Sequence, residues 1–304
     1  MKILCFRNSN LGDYLISIPS LKLIRKKYPN SKIYYLTSKS KNYRILPKII
    51  NNTLLVDKFI YFNPTIHNYV ILIKKLKSYN FDIFYYLNEK TNIFREIRDF
   101  IFFKIVASKK IYGFFSKKIN YTKNSETILL AKRVKNNISK LQVVNLNQIK
   151  RKKKKSPYKF KYITISIGGF SQPEIWKLDN WIYLIRLLLK NKKYKIIILG
   201  TKSDYKNSII LKSKNKKRII SLCGKTELDE LFTLIQNSTV HITNDNGTMH
   251  VSTIFSKKTI CLFNNHDPIG KWNPSNKNAI IFRSKNGVNG IKPISVYKKL
   301  NSII

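Results

Sequence analysis

The sequence predicts an α/β protein of two similar domains, residues 1–150 and 151–304, each an open parallel sheet flanked by helices. Three observations predict it. The chain has 304 residues, the length of about two domains. Short apolar, strand-like runs alternate with helical patterns in the first half, and the alternation restarts after Pro157. Between the two series lies the basic run 150–155, which cannot pack into a core and reads as an interdomain linker. With 43% hydrophobic and 12% aromatic residues, disorder is excluded for most of the length.

Lys2–Phe6 is a short apolar run followed by the loop 7–13, and Leu15, Ile16, Ile18, Leu21 and Ile24 then recur at helical spacing. This is strand, loop, helix. The helix ends near Lys26 and Lys27 before Pro29, and 32–37 reads as a second strand, so a βαβ unit opens the chain. Residues 59–62 and 81–87 are further buried strands, with a helical pattern at 66–79 between them. Residues 92–108 place Ile93, Phe94, Ile97, Phe100, Ile101 and Ile105 at helical spacing, with Arg95, Arg98 and Lys104 among them. A core helix with solvated basic residues is the commoner outcome of such a pattern and is preferred to a membrane-surface helix. A strand at 109–114 and a helix at 125–134 complete the first half.

The second half reads as strand 162–167, helix 179–190, strand 195–199, helix 203–213 and strand 218–222, then helix 227–236, strand 240–242, helix 247–255 and strand 259–263. Thr226 and Asp229 form an N-capping pair at the start of the helix 227–236. In open parallel sheets ligands sit outside the carboxyl ends of the strands, so a two-domain version is expected to hold its active site in the cleft between domains.

A net charge of +44 favours anionic partners such as phosphates, nucleic acid or acidic lipid. The abundance of Lys, Asn and Ile, residues of A/T-rich codons, explains that charge equally well. The basic residues are spread along the chain without a nucleic-acid-binding motif, so no specific nucleic acid is expected. Cys5, Cys223 and Cys261 lie in separate apolar runs without ligand-like spacing, which fits reduced thiols and a cytoplasmic location. No stretch is long and apolar enough to span a bilayer, and the N-terminus enters a strand-like run instead of a signal segment.

Few carboxylates are available for acid–base work. Asp13, Asp204, Asp245 and Asp267 are loop acids just past strand ends. Asp13 either caps the first helix or faces the cleft, and on the residues alone capping is preferred. The segment 243–250 joins a strand to a helix, so the N–H groups of Gly247, Thr248 and Met249 are expected to stand free at a positive helix end, where a diphosphate fits. Gly247 permits close backbone approach and Asp245 could bind sugar hydroxyls; the plain alternative is an Asp/Asn-rich capped turn. His250, one turn into that helix, is by default a core histidine. Gly168 and Gly169, followed by Phe170, Ser171 and Gln172, form a second loop able to approach phosphate. The lack of a full dinucleotide fingerprint or a Walker motif argues against a dehydrogenase or an ATPase, and without metal-ligand spacing a metal-free site is expected.

These residues carry a resemblance. Arg7…Leu11-Gly12-Asp13…Pro19-Ser20-Leu21, Gly168-Gly169…Trp176…Asn180-Trp181, Gly224-Lys225-Thr226…Leu228, Asn244-Asp245-Asn246-Gly247-Thr248-Met249-His250 and Asp267-Pro268 resemble, in order and over nearly the whole chain, glycosyltransferase family 9, the lipopolysaccharide heptosyltransferases. The resemblance implies a GT-B architecture of two Rossmann-like domains facing a central cleft. It implies inverting, metal-independent transfer from a nucleotide-sugar donor, an ADP-linked heptose, with no cofactor beyond that substrate. Asp13 becomes the general base, with Arg7 and Gly12 on the acceptor side in the N-terminal domain. Gly168, Gly169, Ser171, Lys177, Asp204, Lys225, Thr226, Asp245, Gly247, Thr248, Met249 and His250 become donor-binding residues in the C-terminal domain. The implied acceptor is an anionic glycolipid or oligosaccharide of the lipopolysaccharide-core type, at the cytoplasmic face of the inner membrane. One departure stands out: the family carries a basic residue two positions before this tryptophan and a proline after it, whereas Glu174 and Lys177 flank Trp176 here. In order of preference, Lys177 supplies the charge from a shifted position, the donor differs, or the protein is inactive. A catalytically inactive sugar-nucleotide or polyanion-binding protein is therefore the alternative reading.

Overall fold

The computed structural model describes residues 1–8, 10–38, 55–62, 66–89, 92–106, 109–115, 121, 123–149, 154–169 and 174–304. Ser171 and residues 150–153 of the basic run lie outside the described residues. The chain divides into two compact units, Met1–Asn147 and Gln148–Ile304. Past the division, the Ile149 N–H donates to Ile254 O at 3.0 Å, and Lys154 pairs with Asp229 at 2.6 Å, which ties both residues to the second unit.

The first unit runs β1 (Lys2–Phe6), α1 (Leu11–Lys27), β2 (Lys32–Ser38), β3 (Lys58–Phe62), α2 (Ile66–Tyr79), β4 (Ile83–Tyr86), α3 (Ile93–Val106), β5 (Lys110–Tyr112), α4 (Glu126–Val134) and α5 (Lys140–Asn147). Its strands form a parallel sheet in the order β3-β2-β1-β4-β5 among the described residues. The run of apolar residues in β1 follows from this position: Ile3 pairs with Ile33 on one side and Ile83 on the other, and a central parallel strand is covered on both faces. On one face Leu4, Phe6, Leu36, Phe84 and Phe103 share a core, with Phe84 and Phe103 stacked at 4.2 Å. On α1, α4 and α5, Leu23 packs with Ile128, Ala131 and Val143. The strand expected at 109–114 is confined to Lys110–Tyr112. Gly113 ends it at φ +95°, where a Cβ would stand 2.4 Å from Tyr86 O.

The preferred reading of 92–108 as a core helix is corrected for most of its apolar face. α3 buries Glu96, Phe103 and Val106, while Ile93, Phe94, Ile97, Ile101 and Ile105 are exposed. A helix laid on a sheet buries one stripe, and these five residues lie on the arc facing away from it.

The second unit runs β6 (Tyr162–Ser166), α6 (Leu178–Lys190), β7 (Lys195–Leu199), a 3₁₀ turn at Lys202–Asp204, α7 (Tyr205–Ser213), β8 (Ile219–Ser221), α8 (Leu228–Asn237), β9 (His241–Asn244), α9 (Gly247–Ile254), β10 (Thr259–Leu262), β11 (Ala279–Phe282) and α10 (Pro293–Asn301). The sheet order β11-β10-β9-β6-β7-β8, parallel throughout, is the doubly wound order of dinucleotide-binding folds. β6, β9 and β10 are buried at every residue, and Ile165 lies between Ile198 and Ile242. Trp176 and Trp181 meet edge-on at 5.0 Å in a core that also takes Val296 and Leu300 of α10.

Two expectations need correction here. The helix expected from 227 starts at Leu228 with Glu227 as N-cap, so Thr226 and Asp229 are not its capping pair; the Asp229 carboxylate instead meets Lys154. β11, α10 and α5 were not expected from the sequence. β11 has the half-buried residues of an edge strand, and the eight residues of α5 bury only Val143 and Asn147, so neither leaves a strong periodic signal.

Candidate functional site

In each unit the strand order reverses beside the first strand, between β1 and β4 in one and between β6 and β9 in the other. Adjacent connections diverge there and leave a crevice at the carboxyl ends of the strands. The motif residues fall at both crevices.

In the first unit β1 delivers Arg7 and β4 delivers Leu87, Asn88 and Glu89. Arg7 is buried, yet its guanidinium is well partnered: Nη1 donates to Leu87 O at 2.6 Å and Nη2 to Asp13 Oδ1 at 2.9 Å. Glu126 Oε1 lies 3.9 Å from Nη1. Burial disfavours the charge, but Asp13 and Glu126 outweigh it and hold Arg7 above the ordinary arginine range. Asp13 is the third residue of α1, and its Oδ2 accepts the Asn10 N–H at 3.0 Å. Asp13 thus caps α1, the reading preferred from the residues alone, and it also lines a cavity within the first unit. Each carboxylate oxygen keeps a further lone pair.

That cavity, about 680 Å³, lies within the first unit. Arg7, Asn8, Asp13, Asn88 and Glu89 line its polar end, Phe6, Leu36, Phe62, Leu72, Phe102 and Phe103 form apolar walls, and Arg95, Arg98 and Asp99 of α3 face it as well. Arg133, half-buried, donates to the carbonyls of Tyr86 and Asn88, so the β4 end is held by a cation. Burial lowers the Arg133 pKa below the usual range; neighbouring Arg7 adds to that effect and Glu126 opposes it.

In the second unit β6 leads to Gly168 and Gly169, and β9 leads to Asp245 and α9. Asn244 Nδ2 donates to Ile167 O at 2.8 Å and Asn246 Nδ2 to Gly168 O at 2.8 Å, which staples the two loops together. Asn246 Oδ1 accepts from Thr248 N at 2.9 Å and from Thr248 Oγ1 at 2.7 Å. His241 bridges Thr164 Oγ1 (3.0 Å) and Thr248 Oγ1 (2.9 Å), and its burial pushes the imidazole down to about 3, so it is a neutral strut.

The expectation of three free N–H groups at α9 is therefore corrected at two of them. Asn246 caps Thr248 through its side chain and Met249 through its backbone carbonyl, at 2.9 and 3.1 Å. The Met249 side chain is packed with Cys261 and Phe263, and His250 is buried. Gly247 opens the helix. Asp245 is half-buried beside Glu174 and Asp267, with Arg283 and Lys271 opposing them. Desolvation first, and the two carboxylates after it, push its carboxyl up to about 8.

Gly168 leaves room for Asp204, whose carboxylate a Cβ there would approach to 2.6 Å. Asp204 is engaged locally, accepting Thr201 N at 2.7 Å and Thr201 Oγ1 at 2.8 Å. Gly224 has φ +69°, Lys225 Nζ lies 5.4 Å from the Tyr205 ring centroid, and Thr226 is half-buried. Lys177 is exposed at the N-cap of α6, where its N–H donates to Asn289 Oδ1 at 2.8 Å. Sequence reasoning missed Arg95, Arg98, Arg133, Glu126, Lys271 and Arg283. Arg283 had a legible signal, a basic residue directly after the apolar run 279–282. The others required tertiary placement. Among the described residues no group of three or more His, Cys, Asp or Glu side chains is placed to hold a metal ion.

Comparison with known proteins agrees with this geometry. The chain is similar to a glycosyltransferase family 9 structure from Veillonella parvula, with TM-score 0.74 and 16% identity over 99% of this chain and 96% of that one. It is also similar to the structure of Escherichia coli ADP-heptose lipopolysaccharide heptosyltransferase II, with TM-score 0.73 and 18% identity over 100% of this chain and 98% of that one. The expected GT-B fold class, two Rossmann-like units, holds. Lipooligosaccharide heptosyltransferase 2 of Campylobacter jejuni is 31% identical over 102 residues, a match covering 32% of this chain and 31% of that protein's length. The family model of glycosyltransferase family 9 (heptosyltransferase) matches residues 124–294. Because that match spans more than half of the chain, and both crevices carry the motif residues at the strand ends where such a fold binds ligands, this chain belongs to glycosyltransferase family 9.

Proposed function

We propose that this protein is an inverting, metal-independent glycosyltransferase of lipopolysaccharide-core assembly, moving a heptose from an ADP-linked donor to an anionic glycolipid or oligosaccharide at the cytoplasmic face of the inner membrane. The observation that carries this reading is Asp13: a carboxylate fixed by Arg7 and the Asn10 N–H at the polar end of a cavity large enough for a sugar acceptor. The acceptor hydroxyl gives its proton to Asp13 as its oxygen bonds to the anomeric carbon; the bond from that carbon to the diphosphate breaks on the opposite face, and the diphosphate departs with the electron pair. Arg95 and Arg98 suit anionic groups on the acceptor.

The donor is assigned to the second unit. The Gly247 end of α9 favours negative charge, and Lys271 and Arg283 add cations near Asp245. At neutral pH the Asp245 carboxyl is largely protonated, so it donates a hydrogen bond to the donor instead of repelling it. The ADP and heptose assignments draw support from the names of similar proteins, ADP-heptose lipopolysaccharide heptosyltransferase II among them. A second reading, a sugar-nucleotide-binding protein without transfer, draws support from Glu174, an acid beside Asp245 where the family carries a base.

Calorimetry with ADP, UDP and their sugars, followed by a transfer assay with ADP-heptose, separates the readings. Tightest binding of ADP-heptose with turnover supports transfer. Binding without turnover supports the second reading, and indifference to every nucleotide sugar refutes both.

A further inference from the structure

The helix that lines the cavity in the first unit turns an apolar face to solvent. At about 100° per residue, Ile93, Ile97, Ile101, Phe94 and Ile105 of α3 occupy an arc of about 120°. Phe94 is 76% exposed, Ile105 64% and Ile101 53%. Single exposed apolar residues are ordinary on a protein surface, whereas a continuous stripe of five on one helix marks an interaction face.

The charges on α3 are sorted as well. Its two acids are held by the protein: Glu96 is buried and accepts the Phe115 N–H at 2.6 Å, and Asp99 accepts from Tyr86 Oη at 2.9 Å while pairing with Arg98 at 2.7 Å. Its bases, Arg95, Arg98 and Lys104, are exposed. Arg98 and Lys104 thus flank the apolar stripe, while Arg95 lies about 140° round the helix from its centre and lines the cavity, on a chain of net charge +44.

We propose that α3 is a membrane-docking helix that lies flat on an anionic lipid surface, with Phe94 and the isoleucines at the boundary of headgroups and acyl chains and Arg98 and Lys104 among the lipid phosphates. Charge decides for lipid over a second copy of the chain, because a second copy carries the same strong positive charge and is repelled. Among the described residues no helix is long and apolar enough to cross a membrane, so the contact is one of a helix lying on the surface. The same helix lines the cavity with Arg95, Arg98, Phe102 and Phe103, so docking brings the cavity to the lipid. The inference goes beyond the proposed reaction and stands without it, since it needs neither donor nor acceptor.

The test is co-sedimentation of the full chain with vesicles of phosphatidylethanolamine and phosphatidylglycerol, against vesicles of phosphatidylcholine. Binding at least tenfold stronger to the anionic vesicles is expected. The double variant Phe94→Ser, Ile101→Ser should lose at least tenfold of that binding with an unchanged melting temperature, because both side chains are exposed, and Lys104→Glu should weaken it by a smaller factor. Undiminished binding by the double variant, or a wild-type dimer in light scattering that ignores vesicles and is dissolved by the double substitution, overturns the proposal.

Discussion

Asp13, in the first turn of α1, and Asp245, directly after β9, are both carboxylates near a crevice, yet they have different neighbours. Asp13 faces a guanidinium and a backbone N–H, which fix where its remaining lone pairs point. Replacing it by Asn keeps the size and loses the proton acceptor, so Asp13→Asn should lower transfer by about 100-fold or more while donor affinity in calorimetry stays unchanged. An active Asn variant would leave Asp13 as a helix cap alone. Asp245 faces two carboxylates, and its carboxyl, at about 8 in the fold against an ordinary 3.8, resists ionisation. The stability linked to the protonated form is present in full below about pH 4 and declines as pH rises towards 8. Asp245→Asn should therefore raise the melting temperature more at pH 8 than at pH 4. In the wild type, donor affinity should fall as pH rises through 8, and the Asn variant should flatten that profile. A pH-independent wild type would remove Asp245 from the donor site.

At the level of elements, α9 and β5 show how a glycine is fixed by what lies beside it. Gly247 begins α9 where the N–H groups of Thr248 and Met249 are already taken by Asn246. Any anion at this helix end approaches the backbone of Gly247, so Gly247→Val should weaken donor binding about tenfold or more in calorimetry, with little change in melting temperature. Equal affinity in the variant would make the segment a capped turn and put the donor elsewhere. Gly113 holds φ +95° with Tyr86 O directly over its open face. Gly113→Ala should cost roughly 1–3 kcal/mol in denaturant unfolding, since the new methyl group meets a carbonyl and the backbone leaves its preferred region.

For the whole molecule, two parallel sheets with reversed strand order provide two crevices, one beside Asp13 and one beside Asp245. The proposed chemistry meets the diphosphate charge with Lys271, Arg283 and the α9 end, without a divalent cation. Chelation by EDTA should therefore leave the turnover rate within about twofold. Loss of activity on chelation, restored by magnesium or manganese, would assign the charge balance to a metal.

The alternation of apolar runs with helical patterns determined the α/β class, because a parallel strand buried on both faces favours a continuous apolar run, and β1 and β7 carry one. The motifs likewise marked the ends of β1, β6 and β9 as the places for chemistry, because turns at strand ends are built from Gly, Asn and Asp at short range. Periodicity could not say which face of α3 meets the sheet, since Ile97 and Phe103 are equally apolar in sequence and only packing buries one and exposes the other. Nor could it find Glu126, Arg133, Lys271 or Arg95, charged residues whose neighbours lie tens of positions away in the chain. Local sequence specifies elements and turns through short-range sterics and hydrogen bonding; partners for a buried charge, and the side of a helix left for another surface, are set only when distant segments meet.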